Sequence, residues 1–151
     1  MSNRMIRFLT EELMPQVEKT HTLSQDRKMR ASAGRSSGGP GAFTAAWHSD
    51  YFHKVMSHNG SFTNIIRNHE YPFIIRKSYK KDIKMYLLAS RYDLDNEHGN
   101  WFISNLQMAS SLKYQGYEYR MDEADDEHNS THGGAFLPDT LTWLWSDVID
   151  H

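Results

Sequence analysis

The stretch Gly34-Arg35-Ser36-Ser37-Gly38-Gly39 constrains this chain more than any other. It lies between Met29–Ala33, which reads as a short buried strand, and Ala42–Trp47, which reads as the early part of a helix running from about Gly38 to His48. A serine on a tight strand-to-helix turn needs flanking glycines, because a Cβ at those positions stops the turn from closing. Ser36 is therefore a candidate nucleophile, and the helix that follows directs free N–H groups and a positive dipole end at it. The backbone N–H of Ser37 is the matching candidate donor to an oxyanion. A flexible Gly-Ser turn is the alternative reading of the same residues.

With 151 residues, the chain is expected to be one domain spanning 1–151. It is long enough to bury a substantial core. A formal charge of -2 gives no global reason to expect nucleic acid or an anionic membrane as a partner. The basic cluster Arg76, Lys77, Lys80, Lys81 and Lys84 reads as a solvated face. Without cysteine there is no disulfide framework, thiolate metal site or cysteine nucleophile, so covalent chemistry falls to other side chains. No apolar run reaches the length of a membrane span, and Met1 to Leu13 lacks the apolar core of a secretory signal. The expectation is a soluble chain, cytoplasmic by default.

The remaining segments alternate between strand and helix patterns. Arg4–Lys19 spaces Ile6, Leu9, Leu13 and Val17 as an amphipathic helix that Pro15 should kink or divide. Lys54–His58 reads as a strand ending at the turn Asn59-Gly60-Ser61-Phe62. Pro72 suits the opening of a short helix, and Ile83–Ala89 is a strongly patterned strand. Asn100–Gln115 reads as a helix with Phe102, Leu106, Ala109 and Leu112 along one stripe, closed by Gly116. Tyr117–Met121 follows as a last strand, and Pro138–Val148 as a helix with Leu141, Leu144, Trp145 and Val148 inward. Such alternation predicts an α/β fold, a three-layer α/β/α sandwich with a mostly parallel sheet.

Parallel sheets of this kind gather functional groups in loops at the carboxyl ends of strands. Here those loops carry Ser36, then Asp93 and Asp95, then His128 and His132. Serine, acid, histidine is the chain order of α/β-hydrolases. An imidazole accepts the serine proton near neutral pH, and a carboxylate holds the imidazole tautomer and stabilises the imidazolium. Asp93 comes first after its strand and is the preferred acid, with Asp95 as the alternative or as a helix cap. His128 is the preferred base, although His132 shares its loop. The spacing of His128 and His132 amid acidic residues also admits a divalent-metal site.

Four segments, Gly34–Gly39 with Ala42-Phe43, Ser57–Phe62, Asp93–Trp101 and His128–Gly134, together resemble the esterase family of α/β-hydrolases that includes enterochelin esterases and relatives of feruloyl esterases. By that resemblance Ser36 matches the nucleophile, Asp93 the acid and His128 the base, while Ser61, Asn100 and Trp101 lie near the substrate pocket. The family implies hydrolysis of small-molecule carboxylic esters with no metal and no organic cofactor. Two departures are notable. Asp126 and Glu127 precede His128 where relatives carry glycine, and only one helix precedes the elbow strand. The chain then corresponds to the C-terminal half to two-thirds of such a fold, a partial α/β-hydrolase. A second oxyanion donor normally comes from a loop among the earlier strands. Loss of one such donor costs about 10²–10³ in rate, so the expectation includes impaired turnover or a silent homologue that keeps its pocket for binding. The elbow strand would also form a sheet edge, which invites self-association.

Overall fold

The computed structural model describes residues 3–149. Four parallel strands, β1 (Ala31–Arg35), β2 (Lys54–His58), β3 (Lys84–Ser90) and a last one at Glu118–Ala124, form the main sheet in that spatial order. A two-stranded antiparallel hairpin, β4 (Asp95–Asn96) and β5 (Gly99–Asn100), stands apart from it, so the last strand of the sheet is β6. The helices, in chain order, are α1 (Asn3–Arg7), α2 (Met14–Glu18), α3 (Gly38–His48), α4 (Tyr71–Lys77), α5 (Trp101–Tyr114), α6 (Thr131–Leu144) and α7 (Ser146–Ile149). None of the described helices is long and apolar enough to cross a membrane.

Both faces of the sheet are covered, as the alternation predicts. Every residue of β3 is buried, and successive side chains point to opposite faces. Met85 and Leu87 pack with Val55 against Ala42, Phe43 and Trp47 of α3, Ile75 of α4, and Met108 and Leu112 of α5. Tyr86 and Leu88 turn the other way, toward Leu144 and Phe136 of α6. The result is the expected three-layer α/β/α sandwich. Among the described residues β1, which leads into Ser36, is an edge of the sheet.

Three helix readings change. A π-helical segment at Phe8–Leu13 joins α1 to α2. Its wider turn shifts the register, so Ile6 is buried while Leu13 is 41% exposed. Pro15 falls in the first turn of α2, directly after the π-helical segment, and the helix is divided there as its missing N–H predicts. On α5 the buried face is Trp101, Ser104, Asn105, Met108 and Leu112, leaving Leu106 exposed. Polar Ser104 and Asn105 turn inward because each donates to the Trp101 carbonyl, and Asn105 also donates to that of Gly60. Helix α6 starts at Thr131, not at Pro138, and runs through Gly133 and Gly134. Its inward stripe is Phe136, Thr140 and Leu144, so Leu141 points outward.

Two lysines are buried at the amino-terminal rim of the sheet. Lys54 Nζ donates to Asp147 Oδ2 at 3.0 Å and to the Lys28 carbonyl at 2.7 Å. Lys84 Nζ lies 2.9 Å from Glu118 Oε1 and donates to Ser146 Oγ at 3.1 Å. Burial alone would raise the Asp147 carboxyl, but the hydrogen bond and charge of Lys54, and then Lys84, hold it below its usual value. The ion pairs tie α7 to the sheet and thereby fix the far end of α6, whose first turn follows the His128 loop.

The elbow glycines are not equivalent. A Cβ on Gly34 would lie 2.0 Å from the Gly38 carbonyl oxygen, a backbone atom with no rotamer to yield. Gly34→Ala is therefore expected to destabilise the fold by about 3 kcal/mol or more. Nothing lies within 4 Å of a Cβ on Gly134, inside α6. Gly134→Ala is expected to stabilise by up to about 1 kcal/mol. Thermal melts of the two variants should move in opposite directions.

Candidate active site

β1 runs into Ser36, which takes φ 53, in the left-handed region that non-glycine residues rarely occupy. The strain is held by backbone bonds on both sides. Ser36 N–H donates to the His58 carbonyl at 3.0 Å, and the Ser36 carbonyl accepts from Gly39 N and Ser61 N, each at 3.0 Å. The neighbouring β2 thus fixes the turn from one side and α3 from the other. Gly39 is needed for this approach, since its Cβ would sit 2.3 Å from Ser57 Oγ and 2.9 Å from Gly60 Cα. Gly38, the glycine that closes the G-x-S-x-G pattern, has no neighbour within 4 Å of a Cβ.

The three loops predicted from the sequence converge at the carboxyl rim of the sheet. His128 Nε2 lies 3.0 Å from Ser36 Oγ, and His128 Nδ1 lies 2.5 Å from Asp93 Oδ1. With Nδ1 protonated toward the carboxylate, Nε2 is left to accept from the serine hydroxyl. The Asp93 side chain is fully buried, and its Oδ1 also accepts from Leu94 N–H at 2.7 Å. Asp93 Oδ2 is buried without a hydrogen-bond partner among the described residues. Tyr92 N–H donates to the Asp126 carbonyl, which draws the β3 loop against the loop bearing His128. Arg35 donates to the His128 carbonyl at 3.1 Å across the rim.

The competing residues go elsewhere. Asp95 is exposed on β4, paired with Asn100. His132 Nδ1 is hydrogen-bonded to Asp126. The Asp126 carboxyl is held below its usual value, first by the Glu127 backbone N–H and then by Asn129 and His132. Among the described residues no three histidine or carboxylate side chains converge on a common metal position.

Ser37 immediately precedes α3 without a side-chain capping bond, and its N–H has no acceptor among the described residues. Ser61 is fully buried, with its Oγ 3.2 Å from Ser36 Oγ and 2.9 Å from Trp101 Nε1. The Trp101 ring also meets the His128 ring edge-on, with centroids 6.3 Å apart. Asn100 caps α5 by accepting from Ile103 N–H at 2.9 Å. It lines an open cleft of about 280 Å³ shared with Phe62, Thr63 and Ile103, next in the chain to Ser61 and Trp101. Another cleft, of about 480 Å³ near Arg27, Asp50 and Lys81, lies where strands begin, at the opposite rim.

The sequence reading missed His58. Its ring is 8% exposed beneath Gly133, and its Nε2 has no partner among the described residues. Burial disfavours the imidazolium, so its pKa is lowered. A histidine closing a strand carries no pattern that separates it from a surface one.

The model of the family described as Putative esterase matches residues 2–136. No curated protein matches the chain. Among solved structures, a ferulic acid esterase superposes with a TM-score of 0.76 at 19% identity, covering 91% of this chain and 59% of its own. Enterochelin esterase from Shigella flexneri gives 0.80 at 19% identity, covering 97% of this chain and 38% of its own. An S-formylglutathione hydrolase from Agrobacterium tumefaciens gives 0.73 at 15% identity, with 94% and 57% covered. The fold is thus that of α/β-hydrolase-like esterases, and the chain spans about two-fifths to three-fifths of these structures.

Proposed function

The chain belongs to the Putative esterase family, and from that premise we propose that it hydrolyses carboxylic esters of small molecules, with Ser36 as nucleophile, His128 as base and Asp93 as acid. The reading is carried by one observation, the unbroken run of hydrogen bonds from Ser36 Oγ through both ring nitrogens of His128 to Asp93 Oδ1. A serine hydroxyl attacks a carbonyl only when its proton has somewhere to go. His128 Nε2 takes that proton as the Cβ-linked oxygen bonds to the ester carbon. Asp93 stabilises the imidazolium without being protonated itself. The carbonyl oxygen, now negative, is met by Ser37 N–H at the start of α3. His128 then protonates the departing alcohol, and a water activated by the same imidazole releases the acid. Ser61 and Trp101 support this site from beneath, and Asn100 lines the neighbouring cleft as a candidate substrate contact.

Hydrolysis of 4-nitrophenyl butyrate tests the proposal. The expected result is release of nitrophenol well above buffer that is lost in Ser36→Ala, with a burst approaching one equivalent per chain wherever water attack on the acyl-enzyme is slower than its formation. No release above buffer by a folded chain would sink it.

One observation favours a second reading, a silent homologue that retains the pocket for binding. β1, the strand leading to Ser36, is a sheet edge among the described residues, whereas hydrolases of this fold draw a second oxyanion donor from a loop between earlier strands. A cooperative melt combined with no nitrophenol release above buffer would favour it. The same free edge supports self-association by strand pairing, which sedimentation velocity would register as a dimer.

A further inference from the structure

The hydroxyl of Ser61 has a direction that the surrounding donors impose. Indole Nε1–H can only donate, so at 2.9 Å from Trp101 Nε1 the Ser61 oxygen is an acceptor. Its own hydrogen must go elsewhere. Ser61 is 0% exposed and Trp101 3%, and the other oxygen within reach of Ser61 Oγ among the described residues is Ser36 Oγ, at 3.2 Å. When Ser36 donates to His128 Nε2, its oxygen can accept from Ser61, and all four groups are then aligned in one sense.

We propose that Ser61 is a catalytic residue of the ester hydrolysis described above, a fixed hydrogen-bond donor to the nucleophilic oxygen of Ser36 whose direction is set by Trp101. The inference rests on the esterase reading. Ser61 keeps its proton throughout; the proton that moves is that of Ser36, which passes to His128 Nε2 as the Ser36 oxygen bonds to carbon. The Ser61 O–H occupies one lone pair of Ser36 and leaves the other for the carbonyl. It also stabilises the negative charge that returns to Ser36 Oγ when the acyl-enzyme is cleaved. Trp101 prevents the reversed arrangement, in which Ser36 would donate to Ser61 and lose His128.

The clamp around Ser61 explains why a small residue can hold such a task. Its N–H donates to the Ser36 carbonyl at 3.0 Å, and its own carbonyl accepts from Asn68 Nδ2 at 3.2 Å. Trp101 is fixed in turn by Ser104 Oγ and Asn105 Nδ2, which donate to its carbonyl at 2.8 and 2.9 Å.

The test is the second-order rate of labelling by a fluorophosphonate probe, measured on the whole chain as wild type, Ser61→Ala, Trp101→Phe, the double variant and Ser36→Ala. Ser61→Ala is expected to slow labelling on the order of 10–100-fold. Trp101→Phe keeps the Ser61 hydroxyl but frees its direction, and a drop of a few-fold is expected. The double variant should match Ser61→Ala alone, because Trp101 acts through Ser61. A purely structural role would lower melting temperatures without this non-additivity. Wild-type labelling rates in Ser61→Ala, or losses that multiply in the double variant, would overturn the inference. If Ser61→Ala does not fold, an unchanged rate in Trp101→Phe overturns it. Absence of labelling in the wild type overturns the esterase reading, and this inference with it.

Discussion

Ser36→Ala is expected to lower kcat/KM for 4-nitrophenyl butyrate by about 10⁶, to the level left by binding and by the helix terminus alone. The size follows from the way the three side chains act as one unit. Without the Ser36 oxygen, His128 has no proton to accept and no covalent intermediate forms. The backbone of the turn should hold, because alanine at φ 53 bears the same strain as serine and the bonds that fix it come from the backbone of His58, Gly39 and Ser61, although the buried Ser61 hydroxyl loses its acceptor at a cost of about 1–3 kcal/mol. A cooperative melt only modestly below wild type, together with the kinetic loss, separates chemistry from stability.

Asp93→Asn is expected to cost about 10⁴ in kcat. The asparagine oxygen can still accept from Leu94 N–H and from His128 Nδ1–H at the Oδ1 position, so the ring keeps its place. The negative charge is gone, however, and with it the stabilisation of the imidazolium. The amide NH₂ would also occupy the position of Oδ2, which is buried with no partner among the described residues. Such a buried unpaired donor costs about 1–3 kcal/mol of stability. Asp95→Asn is the matched control, since Asp95 is exposed on the hairpin, and its kcat should stay within about twofold of wild type. A large loss in Asp95→Asn with none in Asp93→Asn would reverse the assignment of the acid.

Much of this arrangement is legible in the sequence, for reasons that differ by element. Lys54–His58 reads as a strand to the residue because the turn signal Asn59-Gly60 ends it. That the loops bearing Ser36, Asp93 and His128 share one rim follows from topology, since loops after parallel strands lie at one end of the sheet; which acid and which histidine meet there does not, because Asp95 and His132 lie in the same loops and turn elsewhere. Helix faces were harder. Ser104 and Asn105 are polar and buried because they bond to backbone carbonyls, and a hydrophobicity pattern carries no sign of such partners. Pro15 signals a break in the first helix, but not the π-helical turn before it that moves Leu13 off the stripe. Gly133, Gly134 and Pro138 disguised the first half of α6, which its contacts with β2 and β3 nevertheless hold in helical form. Within the site, resemblance pointed to Ser61 and Trp101, but the hydrogen bond between them is a property of three dimensions. The special status of Gly39 over Gly38 is likewise visible only once Ser57 and Gly60 are beside it.

The most direct test is to label the folded chain with a fluorophosphonate and locate the adduct by peptide mass spectrometry. The account predicts one adduct per chain, on Ser36, absent from Ser36→Ala and strongly slowed in His128→Ala. Modification of another residue, or none while wild type hydrolyses an ester, would contradict it.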